Sequence, residues 1–179
     1  MIELRAYVSN LDAVRNTLLE LGSVAKGEYA FQDYIYTSLQ HEGDYNLNKE
    51  FIRIRVYSET QWNQKNVELM HKIKSFQGLS GMAKIKEEFD KFEEAAKTLD
   101  GCAKLLFSYK RTGCEYALEG ARIFVENVDY LPPSVEIVAS SQKEVDTIFE
   151  QVRIEKIVYD SVPKLVEQSL EINTKINSK

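Results

Sequence analysis

The segment FIRIRVY, at positions 51–57, places two arginines at the spacing of alternate residues. In a β-strand such residues share one face, so Arg53 and Arg55 lie together while Ile52 and Ile54 face a hydrophobic core on the other side. Two adjacent guanidinium groups suit the binding of a polyanion, but a single strand of this kind commonly turns its arginines toward solvent. The remaining strands decide between these two interpretations.

Charged residues also recur at alternate positions in three other strand-like segments, at 1–8, 67–75 and 83–89, and Glu136 lies opposite apolar residues in a fourth, at 134–139. If the sheet closes on itself and its apolar face is covered from outside, seven basic side chains converge on one interior space: Arg5, Arg53, Arg55, Lys72, Lys74, Lys84 and Lys86. Three carboxylates are expected on the same faces: Glu3, Glu88 and Glu136. These are too few to neutralise the cluster, so its self-repulsion predicts a polyanionic ligand.

The order of elements predicts how these residues are positioned. A strand at 1–8 followed by a helix capped by Ser9 or Asn10 forms one strand–helix unit, and the same order returns twice later in the chain. The segment at 162–176 has the spacing of a further helix. About eight strands with few helices predict an α+β fold, in which an eight-stranded antiparallel sheet closes or nearly closes into a barrel with helices packed outside.

Composition excludes several classes of protein. The 179 residues are 44% hydrophobic and 28% charged, which fits a single domain spanning 1–179. A net charge of −5 argues against a nucleic-acid or membrane-surface binder, so no nucleic-acid or membrane partner is expected. The sequence contains neither a signal-peptide pattern nor a transmembrane run, and a cytoplasmic protein is expected. The spacings of the cysteines and histidines predict neither a disulfide framework nor a zinc site.

The order of the motifs resembles the CYTH family, which groups class IV adenylate cyclases with thiamine and inorganic triphosphatases. The similar segments are IRIR at 52–55, LMHK at 69–72, KEE at 86–88, YKR at 109–111, VENVDYL at 125–131 and VEIV at 135–138. They are similar to the family's LRIR, LxYK, RxE, KxR, lDxVxxL and vEIE motifs, in that order. Each motif is short, and their shared order along nearly the whole chain carries the resemblance.

The resemblance implies a triphosphate tunnel, in which a barrel of eight antiparallel strands encloses basic side chains. The residues implied to bind substrate are Arg5, Arg53, Arg55, Lys72, Lys74, Lys86 and Arg111, with Arg53 and Lys72 as catalytic residues. The residues implied to hold Mg²⁺ or Mn²⁺ are Glu3, Glu136 and Glu126. The implied ligand is a small molecule containing a triphosphate, such as ATP, thiamine triphosphate or tripolyphosphate, and a homodimer is a possible assembly.

Three departures from the family pattern fall on functional positions. Met1 stands at the first glutamate of the family's ExExK strand, Tyr109 at the first basic position of KxR, and Val138 at the second glutamate of EIE. Val138 resembles the pattern of the class IV cyclases, which can carry a small apolar residue at this second glutamate position. The resemblance therefore favours a class IV adenylate cyclase that forms cyclic AMP and pyrophosphate. A triphosphatase and a non-catalytic nucleotide- or polyphosphate-binding protein are the alternatives.

Overall fold

A computed structural model of the chain describes residues 1–41, 43–59, 66–73 and 82–177, with side chains described except at 59, 82–85 and 172–177. The strands are β1 Ile2–Tyr7, β2 Val24–Ser38, β3 Glu50–Glu59, β4 Val67–Ile73, β5 Met82–Phe89, β6 Ala103–Leu118, β7 Ala121–Val128, β8 Ser134–Ala139 and β9 Lys156–Val158. The helices are α1 Leu11–Glu20, α2 Phe92–Lys97, α3 Gln142–Val152 and α4 Val162–Asn177, with a 3-10 turn at Leu39–His41. In this part of the chain no helix is long and apolar enough to cross a membrane.

The strands form one antiparallel sheet in the order β5-β4-β3-β2-β6-β7-β8-β1-β9. The predicted α+β fold with an antiparallel sheet is confirmed, with a short ninth strand added at one edge. The sheet is not closed by hydrogen bonds, because β5 and β9 are its two edges. It nevertheless curls strongly: Lys72 Nζ on β4 lies 4.0 Å from Glu3 Oε1 on β1, although six strand positions separate these strands in the sheet order.

Three helices cover the outer face of this curled sheet. α1 and α3 bury Leu18 and Val145 against β1, β7 and β8, where Ile123 and Ile137 are fully buried. Helix α2 packs through Ala95 against the outer face of β3 and β4. The side chain of Asn10 caps α1 by accepting hydrogen bonds from the backbone N–H groups of residues 12 and 13. The side chain of Ser141 likewise caps α3, so local capping begins α1 and α3 where the sequence predicts, whereas α2 has no side-chain cap.

Helix α4 differs from the expectation that every helix packs outside. Its Val162 and Val166 pack against Ile35, Phe51 and Tyr109. These three residues have the same strand parity as Asp33, Arg53 and Arg111, so they belong to the inner face of the sheet. The inner face is apolar around Ile35, Phe51 and Tyr109, and burying this surface favours a helix packed against it. Helix α4 therefore covers this part of the inner face.

Two neighbouring leucines on α1 test the packing of the outer layer. Leu18 is 0% exposed whereas Leu19 is 53% exposed. We expect Leu18→Ala to lower the free energy of unfolding by about 2–5 kcal/mol through lost burial and a residual cavity. Leu19→Ala should change it by less than about 0.5 kcal/mol. Urea denaturation of both variants measures the difference, and equal losses would contradict the position of α1.

Candidate functional site

The curled sheet and the first turn of α4 enclose a cavity of about 390 Å³ on the inner face of the strands. Its walls carry many charged side chains: Glu3, Arg5, Arg53, Arg55, Lys72, Arg111, Arg122, Glu136 and Asp160. The aromatic side chains of Tyr29, Phe31, Phe51, Tyr57, Tyr109 and Phe124 complete much of the remaining wall. The arginines of FIRIRVY therefore face this cavity on the inner side of the sheet.

The structure brings most of the sequence-predicted binding residues to this cavity. Those that line it are Arg5, Arg53, Arg55, Lys72 and Arg111. Lys86 is not among the lining residues; its side chain is half exposed, and its Nζ lies 3.0 Å from Glu68 Oε2. Lys74 lies outside the described residues, as does the side chain of Lys84. The convergence predicted from strand parity is thus seen for the described residues of β1, β3 and β4, and Arg111 of β6, which only the resemblance implied, lines the same cavity.

The expectation that carboxylates are too few to neutralise the cluster is wrong. Asp33 and Glu126 are 0% exposed and Glu68 is 4% exposed, and all three contact the arginines from within the wall. Sequence reasoning missed Asp33 because its neighbours on the same face of β2, Tyr29, Phe31 and Ile35, are apolar or aromatic. The opposite face of β2 carries the polar residues Lys26, Glu28 and Gln32. Burying arginines in a protein interior costs much free energy unless carboxylates pair with them, and Asp33, Glu68 and Glu126 meet that requirement.

Asp33 holds Arg55 by two hydrogen bonds. Arg55 Nε donates to Oδ1 at 2.7 Å and Nη2 donates to Oδ2 at 2.8 Å, while the guanidinium carbon lies 3.6 Å from the centre of the Phe31 ring. Burial by itself would raise the pKa of Asp33, but the positive charges of Arg55 and Arg53 outweigh it and lower that pKa. The guanidinium group of Arg55 is therefore fixed in both position and plane.

Glu126 holds Arg111 and Arg5. Arg111 donates to both carboxylate oxygens from Nη2 at 2.7 Å and from Nε to Oε2 at 3.0 Å, and Arg5 Nη2 lies 2.5 Å from Oε1. The hydroxyl of Tyr29 donates to Oε2 at 2.8 Å. Arg5 also donates to Glu136 Oε2 at 2.5 Å. One buried carboxylate thus organises the basic side chains of β1 and β6.

Glu136 is a carboxylate of the cavity wall itself. Burial would raise its pKa, but Arg5, Arg111 and Lys72 together lower that pKa to about 2. Glu136 is therefore an anion at neutral pH, and its side chain keeps 16% exposure toward the cavity. An ionised carboxylate with some access to the cavity can pair with a basic side chain or bind a metal cation.

Arg53 is less completely paired than Arg55. Its Nη2 donates to Glu68 Oε1 at 3.3 Å, and its Nε lies 3.8 Å from Asp33 Oδ1. Within the described residues this buried Nε has no hydrogen-bond partner. Buried polar groups normally find a partner, so this N–H group leaves Arg53 less fully satisfied than Arg55.

The carboxylates fit a metal ion only if the ligand contributes as well. Within the described ranges, no three His, Cys, Asp or Glu side chains are grouped so that they could hold a metal ion by themselves. Mg²⁺ commonly uses one or two carboxylates together with substrate phosphates, and Glu3 and Glu136 on the cavity wall suit that arrangement. Glu126 is not a lining residue and already accepts from three side chains. The assignments of Glu3, Glu136 and Glu126 as metal ligands stay predictions, and the geometry favours Glu3 and Glu136.

The three departures from the family pattern all face the same cavity. Met1, Tyr109 and Val138 are lining residues, with Met1 79% exposed and Tyr109 1% exposed. Burial, followed by the negative charge of Asp33, raises the pKa of Tyr109 well above its usual value, so its hydroxyl stays neutral. These three positions therefore lie on the cavity wall, but the side chains that occupy them here carry no charge.

Comparison with known proteins agrees with this architecture. No family model matches the chain, and no curated protein does. A protein of Pyrococcus horikoshii has a TM-score of 0.76 at 19% identity, covering 93% of this chain and 98% of its own. A proposed adenylate cyclase of Vibrio parahaemolyticus has a TM-score of 0.67 at 14% identity, with 93% and 97% covered.

A third solved structure is a proposed adenylyl cyclase of Hippeastrum with a dominant triphosphatase activity. It has a TM-score of 0.61 at 16% identity, covering 93% of this chain and 95% of its own. At these identities the similarity establishes the fold. The chain therefore has the fold of these solved structures, which is the fold expected from the order of its motifs.

The pairing of Arg55 with Asp33 predicts how an alanine at position 55 affects stability. Arg55→Ala leaves a buried carboxylate without its two closest donors, so we expect the free energy of unfolding to fall by about 3–5 kcal/mol. The double variant Arg55→Ala/Asp33→Asn removes the stranded charge and should lose less than the single variant. Urea denaturation measures both. A single variant as stable as the wild type would support a self-repelling cluster instead.

The lowered pKa of Asp33 predicts an acid-dependent contribution to stability. Its pKa in the folded protein is below the ordinary value of 3.8, so its stabilisation is complete above about pH 4 and is lost as the pH falls through the folded pKa. The difference in unfolding free energy between wild type and Asp33→Asn should therefore shrink between about pH 6 and about pH 3. A difference that stays constant over this window would mean that Asp33 is not held as an anion.

Proposed function

We propose that this protein is a metal-dependent enzyme acting on a small molecule that contains a triphosphate, most like a class IV adenylate cyclase. The observation that carries the proposal is the set of basic side chains, oriented by buried carboxylates, on the wall of one enclosed cavity. The fold supports it, because one solved structure with this fold is a proposed adenylate cyclase and another has triphosphatase activity.

The chain's own residues would do most of the catalytic work by positioning and charge stabilisation. Arg53 and Arg55 would each direct N–H groups at phosphate oxygens, and Lys72 would add a compact positive charge. Glu3 and Glu136 would hold Mg²⁺ or Mn²⁺ beside the phosphates. The metal ion would supply Lewis-acid stabilisation of the charge on the phosphoryl group under attack.

In the cyclase reaction the ribose 3′-hydroxyl oxygen attacks the α-phosphorus and pyrophosphate leaves. This requires the nucleoside to be held at the cavity as well as the phosphates. The exposed ring of Tyr159 and the partly exposed ring of Tyr57 on the cavity wall offer apolar surface for it. Hydrolysis of a terminal phosphate needs only the basic wall, the metal ion and water.

Two other functions have observations in their favour. A triphosphatase, acting on inorganic or thiamine triphosphate, is favoured by the activity of the Hippeastrum protein. A non-catalytic nucleotide- or polyphosphate-binding protein is favoured by the uncharged Met1, Tyr109 and Val138 on the cavity wall. Each of the three functions uses the same cavity, so the reaction products distinguish them.

We expect purified protein incubated with ATP and Mn²⁺ to form cyclic AMP and pyrophosphate, identified by chromatography. ADP with phosphate, or hydrolysis of tripolyphosphate or thiamine triphosphate in parallel incubations, would favour the triphosphatase. Tight binding without any product would favour the binding protein. Lys72→Ala should reduce turnover or affinity at least about tenfold, whereas Lys143→Ala, at an exposed position of α3, should change neither.

A further inference from the structure

Glu126 has contacts unlike those of the other carboxylates at the cavity. It is 0% exposed and does not line the cavity, whereas Glu3 and Glu136 do. Its Oε2 accepts from Arg111 Nε, Arg111 Nη2 and the Tyr29 hydroxyl, and its Oε1 accepts from Arg111 Nη2 and lies against Arg5 Nη2. With both oxygens occupied by donors from side chains, little capacity remains for a metal ion.

The backbone is shaped to allow this arrangement. Gly113 on β6 lies opposite Glu126 on β7 in the strand register. A Cβ atom at Gly113 would lie 2.8 Å from the Cβ of Glu126, 2.8 Å from the Tyr29 hydroxyl and 2.7 Å from the carbonyl oxygen of Val125. Any other residue would therefore push the carboxylate away from its donors, so the absence of a side chain at 113 permits the contacts.

We infer that Glu126 is a positioning residue, which fixes the guanidinium groups of Arg5 and Arg111 so that their remaining N–H groups are presented to a phosphate chain in the cavity. This inference rests on the proposed function, because it assumes that the cavity binds phosphate. The role differs from that of a metal ligand: Glu126 acts on the ligand only through the two arginines.

The physical basis is preorganisation. An arginine side chain has many rotamers, and ordering it when the ligand binds reduces affinity. A guanidinium group has more N–H donors than one carboxylate accepts, so pairing with Glu126 orders Arg111 without using all of its donors. Arg111 also remains charged. Burial by itself would lower its pKa, but the negative charges of Glu126 and Glu136 outweigh burial and raise that pKa above its usual value.

The two roles predict opposite effects when no divalent metal is present. Removing the negative charge of a metal ligand beside the cavity should strengthen the binding of bare tripolyphosphate, because one repulsive charge is lost. Removing a positioning carboxylate should weaken the binding, because the arginines lose their orientation. Calorimetric titration with tripolyphosphate in a buffer containing a chelator separates the two roles by the sign of the change.

We expect Glu126→Gln to weaken metal-free binding of tripolyphosphate by about tenfold. The same substitution at Glu3, which lines the cavity, should raise the affinity. In an Arg111→Ala background, Glu126→Gln should have a smaller effect than in the wild type, because one of the two groups that it positions is gone. Glu144→Gln, at the start of α3, is the matched control that should leave affinity unchanged.

Tyr29→Phe provides a milder variant if Glu126→Gln does not fold. It removes only the hydroxyl that donates to Glu126 and should weaken binding in the same direction by a smaller factor. Unchanged or tighter metal-free binding in Glu126→Gln, or in Tyr29→Phe where the first variant fails to fold, would overturn this inference and leave the proposed function standing. A wild-type protein that binds no tripolyphosphate, with or without Mn²⁺, would overturn both.

Discussion

The pairing of buried arginines with buried carboxylates is the constraint on which the rest of this structure depends. Arg55 and Arg111 cannot remain charged inside the curled sheet without partners, and Asp33 and Glu126 supply them within hydrogen-bond distance. These pairs link β2 with β3 and β6 with β7. The strands that form the cavity are therefore joined by ionic contacts on the inside as well as by apolar packing on the outside.

This pairing changes how a polyanion would be bound. The basic residues Arg5, Arg53, Arg55, Lys72 and Arg111 are accompanied by the carboxylates Glu3, Asp33, Glu68, Glu126 and Glu136. A cavity of this kind does not attract phosphate mainly by excess positive charge. It would bind through oriented N–H donors, and a bare phosphate chain would bring several uncompensated charges into it. In the function proposed above, a divalent cation arriving with the phosphates would balance them.

Strand parity was sufficient to predict the inner face of the strands that alternate clearly. The segment at 51–57 has apolar and basic residues on opposite faces, and the structure places Arg53 and Arg55 as this pattern indicates. In β2 the face that carries Asp33 is otherwise apolar or aromatic and the opposite face carries Lys26, Glu28 and Gln32, so parity alone could not identify Asp33 as an inner residue. The contacts of Glu126 were equally inaccessible, because they depend on β1 and β2, which are distant in sequence. Strand order and side-chain pairing follow from the tertiary structure.

The inner position of α4 gives a physical reason for one of the departures from the family pattern. Tyr109 packs with Val162 and Val166 of α4, at the apolar end of the inner face. A lysine at this position would bury an ammonium group beside α4, and the nearby Asp33 already accepts two hydrogen bonds from Arg55. A neutral tyrosine avoids that cost and adds apolar contact area for the helix. The loss of a basic residue at 109 and the packing of α4 against the inner face are therefore two aspects of one arrangement.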